Sequence, residues 1–168
     1  MLFIISAFLA VAGCSSQNDP EPSAPQPVQT VVYLIRHAEK EDSGTNPNLS
    51  AQGLQRANNW AALLQDVPFN AFYSTNYNRT LQTIEPIATQ NQKEVTLYDP
   101  FNFSLAGVIA TNAGKNVFIV GHSNTIPQLI NSYLGSDFYP DMTESQYGNL
   151  YKVTVTDGAV SHEMTVHN

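Results

Sequence analysis

Residues Val31-Val32-Tyr33-Leu34-Ile35-Arg36-His37-Ala38-Glu39-Lys40 decide how this chain reads. The segment opens as an unbroken apolar run rich in β-branched side chains. It is too short for a good helix and suits a strand covered on both faces. It stops at Arg36-His37. In open α/β sheets, ligands sit in the crevice beyond the carboxyl ends of the strands. A guanidinium and an imidazole therefore stand together where a small anion would be received. A second run, Asn116-Val117-Phe118-Ile119-Val120-Gly121-His122-Ser123, repeats the arrangement. Two strands ending in histidine, with Arg79 between them in sequence, point to a site that handles phosphate.

Outward from these runs, strand-like and helix-like segments alternate. Ser50 is placed to cap a helix whose inner face is Leu54, Ala57, Trp60, Ala61 and Leu64. Residues 71–75 read as a second strand. Thr75 or Asn76 then caps a helix to about Ala88, with Leu81, Ile84, Ile87 and Ala88 inward. Pro86 is expected to kink that helix or end it near Glu85. Residues 94–98 form a third strand, 103–113 a modest helix stopped at Gly114, and 117–120 a fourth strand. A helix follows to about Leu134, with Ser123 or Asn124 as its cap and Pro127 in its first turn. Residues 136–148 are polar and aromatic without a period. Residues 150–156 and 159–166, joined by Asp157-Gly158, read as a hairpin. The expected architecture is α/β: three layers, a mostly parallel sheet with helices on both faces, and a C-terminal antiparallel hairpin.

The chain has 168 residues, enough for one domain with a core. Its net charge is −7, and its 7 Lys and Arg residues form no basic run. That balance excludes nucleic acid as the main partner, so an anionic ligand must be drawn by a local positive pocket. Residues 1–12 are almost wholly apolar, too short to span a bilayer but suited to the hydrophobic region of an export signal. They lead into Val11-Ala12-Gly13-Cys14-Ser15-Ser16, which resembles the lipobox of bacterial lipoproteins. That resemblance implies cleavage before Cys14 and a lipid on its thiol; an N-terminal core helix with an ordinary thiol is the blander reading. Residues 15–30 carry Pro20, Pro22, Pro25 and Pro27 with no apolar period, as in a disordered tether. The expected organisation is a signal over 1–14, a tether over 15–30 and a folded domain over 31–168. The domain would be membrane-anchored in the cell envelope, facing the periplasm or the exterior. With a single cysteine no internal disulfide forms.

Arg36, His37, Arg79 and His122 can converge if the sheet is parallel. A phosphoryl group carries roughly 1.5 to 2 negative charges near neutral pH, and guanidinium groups match its oxygens in pairs. A neutral imidazole in line with phosphorus can attack it, and neighbouring arginines disfavour the protonated ring. His37, His122, Glu39 and Asp42 are also metal-ligand types. Two arginines beside a cation are unfavourable, and no His-Glu-x-x-His spacing occurs, so neither metal nor other cofactor is expected.

Arg36-His37-Ala38-Glu39, Leu49-Ser50-Ala51-Gln52-Gly53-Leu54-Gln55-Arg56-Ala57, Ser74-Thr75-Asn76-Tyr77-Asn78-Arg79-Thr80-Leu81-Gln82-Thr83 and Gly121-His122-Ser123 resemble, in order, the motifs of the histidine phosphatase superfamily, phosphoglycerate mutase-like proteins. The resemblance implies His37 as nucleophile, with Arg36, Arg79, His122 and Ser123 binding the phosphate. It also implies a carboxylic acid that protonates the leaving group. Larger members carry a glutamate after the third strand; residues 98–104 here hold none. Glu39 is then the first candidate and Asp99 the second. The implied function is a metal-independent phosphatase acting on a phosphomonoester or phosphoprotein through phosphohistidine. The alternatives are a catalytically weak phosphate-binding or sensing envelope lipoprotein, and a structural protein with a vestigial site. Phe138, Tyr139, Met142 and Tyr147 could wall a substrate pocket, although edge-strand packing is the favoured account. His162 and His167 read as incidental.

Overall fold

The computed structural model of the protein describes residues 27–167. The expected signal, Cys14 and most of the tether lie outside the described residues. Elements run β1 (Gln29–Arg36), α1 (Ala51–Leu63), β2 (Phe69–Ser74), α2 (Asn78–Gln90), β3 (Val95–Leu97), α3 (Leu105–Thr111), β4 (Asn116–Gly121), α4 (Thr125–Leu134), β5 (Asn149–Thr156) and β6 (Ala159–Val166). Strand β1 starts two residues earlier than the apolar run suggests, because Gln29 and Thr30 pair with Thr156 and Val155 of β5.

One six-stranded sheet is ordered β3-β2-β4-β1-β5-β6. The first four strands are parallel, and β5 and β6 complete the edge antiparallel. Strand β4 lies between β1 and β2, and in open parallel sheets a crevice opens at the carboxyl ends where the strand order reverses. The register aligns those ends: Arg36 lies opposite Gly121, and Ser74 opposite Val120. Ile35, Phe72, Phe118 and Val120 pack on one face with Trp60, Ala61, Ile84 and Ile87 of α1 and α2. Val32, Leu34, Val117 and Ile119 pack on the other with Leu105, Val108, Ile126 and Ile130 of α3 and α4. The expected three-layer α/β fold with its C-terminal hairpin is present. Asp157 and Gly158 turn the hairpin with φ of 50° and 86°, the conformation that a two-residue Asp-Gly connection favours.

Two local expectations are corrected. Leu54 is 48% exposed. Ala57, Trp60, Ala61 and Leu64 are buried as expected, and Gly53 takes the place of Leu54 at the start of the buried stripe of α1. Pro86 neither ends α2 nor shortens it; the helix continues to Gln90. Proline in a helix interior costs about 3 kcal/mol. Ile84 before it and Ile87 and Ala88 after it are buried in the same cluster, and that packing holds both halves together.

Helix α1 is held against the segment after β1. Ser50 caps the helix by accepting from the Gly53 N–H, and its own N–H donates to the Glu39 carbonyl at 2.9 Å. A Cβ at Gly53 would collide with that carbonyl. Gly53→Ala should therefore lower stability by about 1–3 kcal/mol in urea unfolding, the usual cost of overpacking. A wild-type midpoint would mean the approach is loose.

Candidate active site

His37 extends the β1–β4 ladder by one residue. Its backbone N–H donates to the Gly121 carbonyl at 2.9 Å, and its side chain is buried. Its Nδ1 lies 2.7 Å from the Ala38 carbonyl oxygen. A carbonyl only accepts, so the proton sits on Nδ1 and the Nε2 lone pair is left free. The Ala38 N–H in turn donates to Thr83 Oγ1 at 2.9 Å, and that hydroxyl donates to the Arg79 carbonyl at 2.6 Å. The nucleophile candidate and the first turn of α2 are thus tied through one threonine.

His122 follows β4 and sits 5.6 Å from His37, ring centroid to ring centroid. Its Nε2 lies 3.0 Å from Thr75 Oγ1, while its Nδ1 lies 3.4 Å from Arg79 Nη2. Arginine has no acceptor, so Nδ1 carries the lone pair and Nε2–H donates to Thr75. Thr75 donates onward to Thr80, whose hydroxyl is also shared with the Thr75 and Tyr77 carbonyls. Tyr77 lies beneath both partners: its ring is 5.3 Å from that of His122 and 4.5 Å from the Arg79 guanidinium carbon.

Arg36 is nearly inaccessible and is held by the 143–146 loop. Its Nη1 donates to the Thr143 carbonyl at 2.8 Å, with longer contacts to the carbonyls of Glu144 and Gln146. Its Nη2 meets Glu144 Oε2 at 3.2 Å, and its guanidinium carbon lies 4.2 Å from the centre of the Tyr147 ring. Its buried Nε has no partner among the described residues, and an arginine N–H buried in this way favours an incoming acceptor.

These groups line a cavity of about 390 Å³ that includes Arg36, His37, Arg79, His122 and Ser123. The four residues expected to converge do so, and Ser123 stands beside them. Glu39 does not line the cavity. Its carboxylate is paired with Arg56 of α1, at 2.8 Å to Nη2 and 2.9 Å to Nε. Asp99 is also elsewhere, accepting from the Phe101 N–H and from Asn102 Nδ2 in its own turn. Lys40, Asn124 and Glu144 line the cavity without having been singled out from sequence. Of the aromatic segment, Tyr147 walls the site, 6.2 Å from His37. Met142 is core, and Phe138 and Tyr139 pack around His162 of β6. His167 packs on Trp60. Among the described residues, no group of three or more His, Cys, Asp or Glu is placed to hold a metal ion.

Residues 32–102 match the family model of the histidine phosphatase superfamily (branch 1), a span that holds Arg36, His37 and Arg79. Solved structures share the fold. A phosphoserine phosphatase variant from Entamoeba histolytica in complex with phosphoserine is 19% identical, covers 79% of this chain and 94% of its own, and has a TM-score of 0.64. For the protein histidine phosphatase SixA complexed with tungstate the values are 16%, 81%, 96% and 0.65. For phosphoglycerate mutase from Bacillus anthracis they are 15%, 83%, 93% and 0.64. The family match and the fold support the histidine phosphatase superfamily. No curated protein sequence matches this chain. At these identities the likeness to the solved structures is one of fold.

Within this fold both imidazoles are kept neutral. Burial pulls His37 from 6.5 to about 3, helped by the charges of Arg36 and Arg79 and by His122, while its bond to Ala38 pulls the other way. Burial, then Arg79 and Arg36, bring His122 to about 4. Burial also lowers Arg79 from its ordinary value, Arg36 adding to the effect and Tyr77 opposing it. Since the folded value of His37 is depressed, the unfolded chain takes up a proton below pH 6.5 and the folded chain does not. Stability is then fully present above about pH 6.5 and is lost as pH falls toward about 3, on the order of 1 kcal/mol per pH unit for His37. The His37 ring resonance should titrate near 3 by NMR, and His37→Gln should flatten the loss of melting temperature between pH 6 and 4. A ring titrating near 6.5 would contradict this environment.

Proposed function

We propose that the protein is a phosphatase that hydrolyses a phosphomonoester or a phosphorylated protein through a covalent phosphohistidine at His37. One observation carries the reading. His37, its Nδ1 held by the Ala38 carbonyl and its Nε2 lone pair free, lines one cavity with Arg36, Arg79 and His122. Two guanidiniums bind phosphate oxygens in pairs, and the same charges stabilise the equatorial oxygens as the phosphoryl group transfers. The N-terminal end of α4, at Ser123 and Asn124, adds positive helix-end character. The structural neighbours named for phosphoserine and protein-histidine dephosphorylation agree with this substrate class.

His37 Nε2 forms a bond to phosphorus as the ester P–O bond breaks. The ring then carries the positive charge, with Nδ1–H still held by the Ala38 carbonyl. Water attacks the phosphorus next, the N–P bond breaks, and phosphate leaves with His37 restored. No step requires a metal. His37→Ala should abolish turnover of an aryl phosphate, and brief incubation of the wild type should give an acid-labile, alkali-stable phosphoprotein. Chelator-treated protein should keep its rate. Undiminished turnover by His37→Ala would remove that residue from the reaction. The alternative, a catalytically weak phosphate-binding protein, draws on the placement of Glu39 and Asp99 away from the cavity. It would show tight phosphate binding with no turnover of any ester.

The location is proposed from residues 1–30 alone: an envelope lipoprotein anchored by a lipid on Cys14. In a bacterial host, Cys14→Ser should move the protein from the membrane to the soluble fraction. An unchanged distribution would contradict the anchor.

A further inference from the structure

We propose that Glu144, in the loop between α4 and β5, is the acid that protonates the leaving group; the inference rests on the phosphohistidine reading above. Among the described residues lining the cavity, Glu144 supplies the one carboxyl group. Its position suits the direction of the reaction. His37 is only 4% exposed and forms the floor of the cavity, whereas the Glu144 side chain is 86% exposed at its rim. In-line displacement puts the leaving oxygen on the far side of phosphorus from the attacking nitrogen. Attack from a buried floor therefore aims the leaving group outward, toward the rim where Glu144 stands.

The loop gives that carboxyl a fixed base and a free end. The Met142 N–H donates to the Ser123 carbonyl at 2.9 Å, the Thr143 carbonyl accepts from Arg36, and the Thr143 N–H is bonded to Gln146 Oε1 at 2.7 Å. Beyond this anchored backbone, the one polar partner of the Glu144 carboxylate among the described residues is Arg36 Nη2. A phosphate on Arg36 takes over that guanidinium and releases the carboxyl. In the first step the O–H bond of Glu144 breaks as the proton moves to the departing ester oxygen, giving the alcohol and a carboxylate. In the second step the attacking water gives its proton to that carboxylate, and the acid is regenerated.

The test compares 4-nitrophenyl phosphate, whose leaving group departs as a stable anion, with phenyl phosphate, whose leaving group needs the proton. Glu144→Gln should lower kcat/KM for phenyl phosphate by about 10²-fold or more and change the nitrophenyl ester by less than about threefold, the general-acid range. Equal losses on both esters, or none, would overturn the assignment. Tighter vanadate binding with unchanged turnover would also overturn it, making Glu144 only a counter-ion of Arg36. An unchanged melting temperature and retained vanadate binding would separate these outcomes from misfolding. His37→Ala is the separate arm: loss of both esters there keeps the phosphohistidine reading whatever Glu144→Gln does, and activity there removes it.

Discussion

The bond from the His37 N–H to the Gly121 carbonyl, one residue past the last paired positions of β1 and β4, sets the position of everything else in the site. It carries parallel pairing beyond the sheet proper, so that His37 and His122 leave adjacent strands at the same height. A slip of one residue would turn every side chain of β1 to the opposite face. The apolar sequence of β1 and β4 forbids that slip less by alternation than by burial on both faces. Parallel register and the level strand ends do the rest, with Ser74-Thr75 of β2 arriving beside them.

Charge is arranged against the trend of the whole molecule. The chain has a net charge of −7, yet its cavity is lined by Arg36, Arg79 and Lys40 against a single carboxylate. Under the proposed function, attraction for an anion is local to this pocket, where the guanidiniums match phosphate oxygens in pairs. Burial also keeps the two imidazoles unprotonated, the charges of Arg36 and Arg79 adding to it and the bond from His37 to Ala38 opposing it. The neutral imidazoles and the positive pocket follow from the same packing.

Arg36, His37, Arg79 and His122 were legible from sequence because each stands at a strand end or helix start that hydrophobic patterning locates. The strand order was not legible, since nothing in β4 itself says that it inserts between β1 and β2. The role of residues 136–148 was hidden for a related reason. They have no periodicity, and Glu144 and Tyr147 meet the site through contacts with Arg36, more than a hundred positions earlier. Glu39 misled by its nearness to His37 in sequence; Arg56, on the facing turn of α1, takes its carboxylate instead. Leu54 and Pro86 show tertiary packing overriding local preference. Gly53 can approach the Glu39 carbonyl as leucine cannot, and buried isoleucines on both sides of Pro86 offset one missing helix bond.

The central claim is that four groups distant in the chain surround one tetrahedral anion with a histidine nitrogen behind it. A crystal structure with orthovanadate tests this most directly. The account predicts vanadium bonded to His37 Nε2, with equatorial oxygens on Arg36 and Arg79. Vanadate bound away from His37, or held without contact to both arginines, would contradict it.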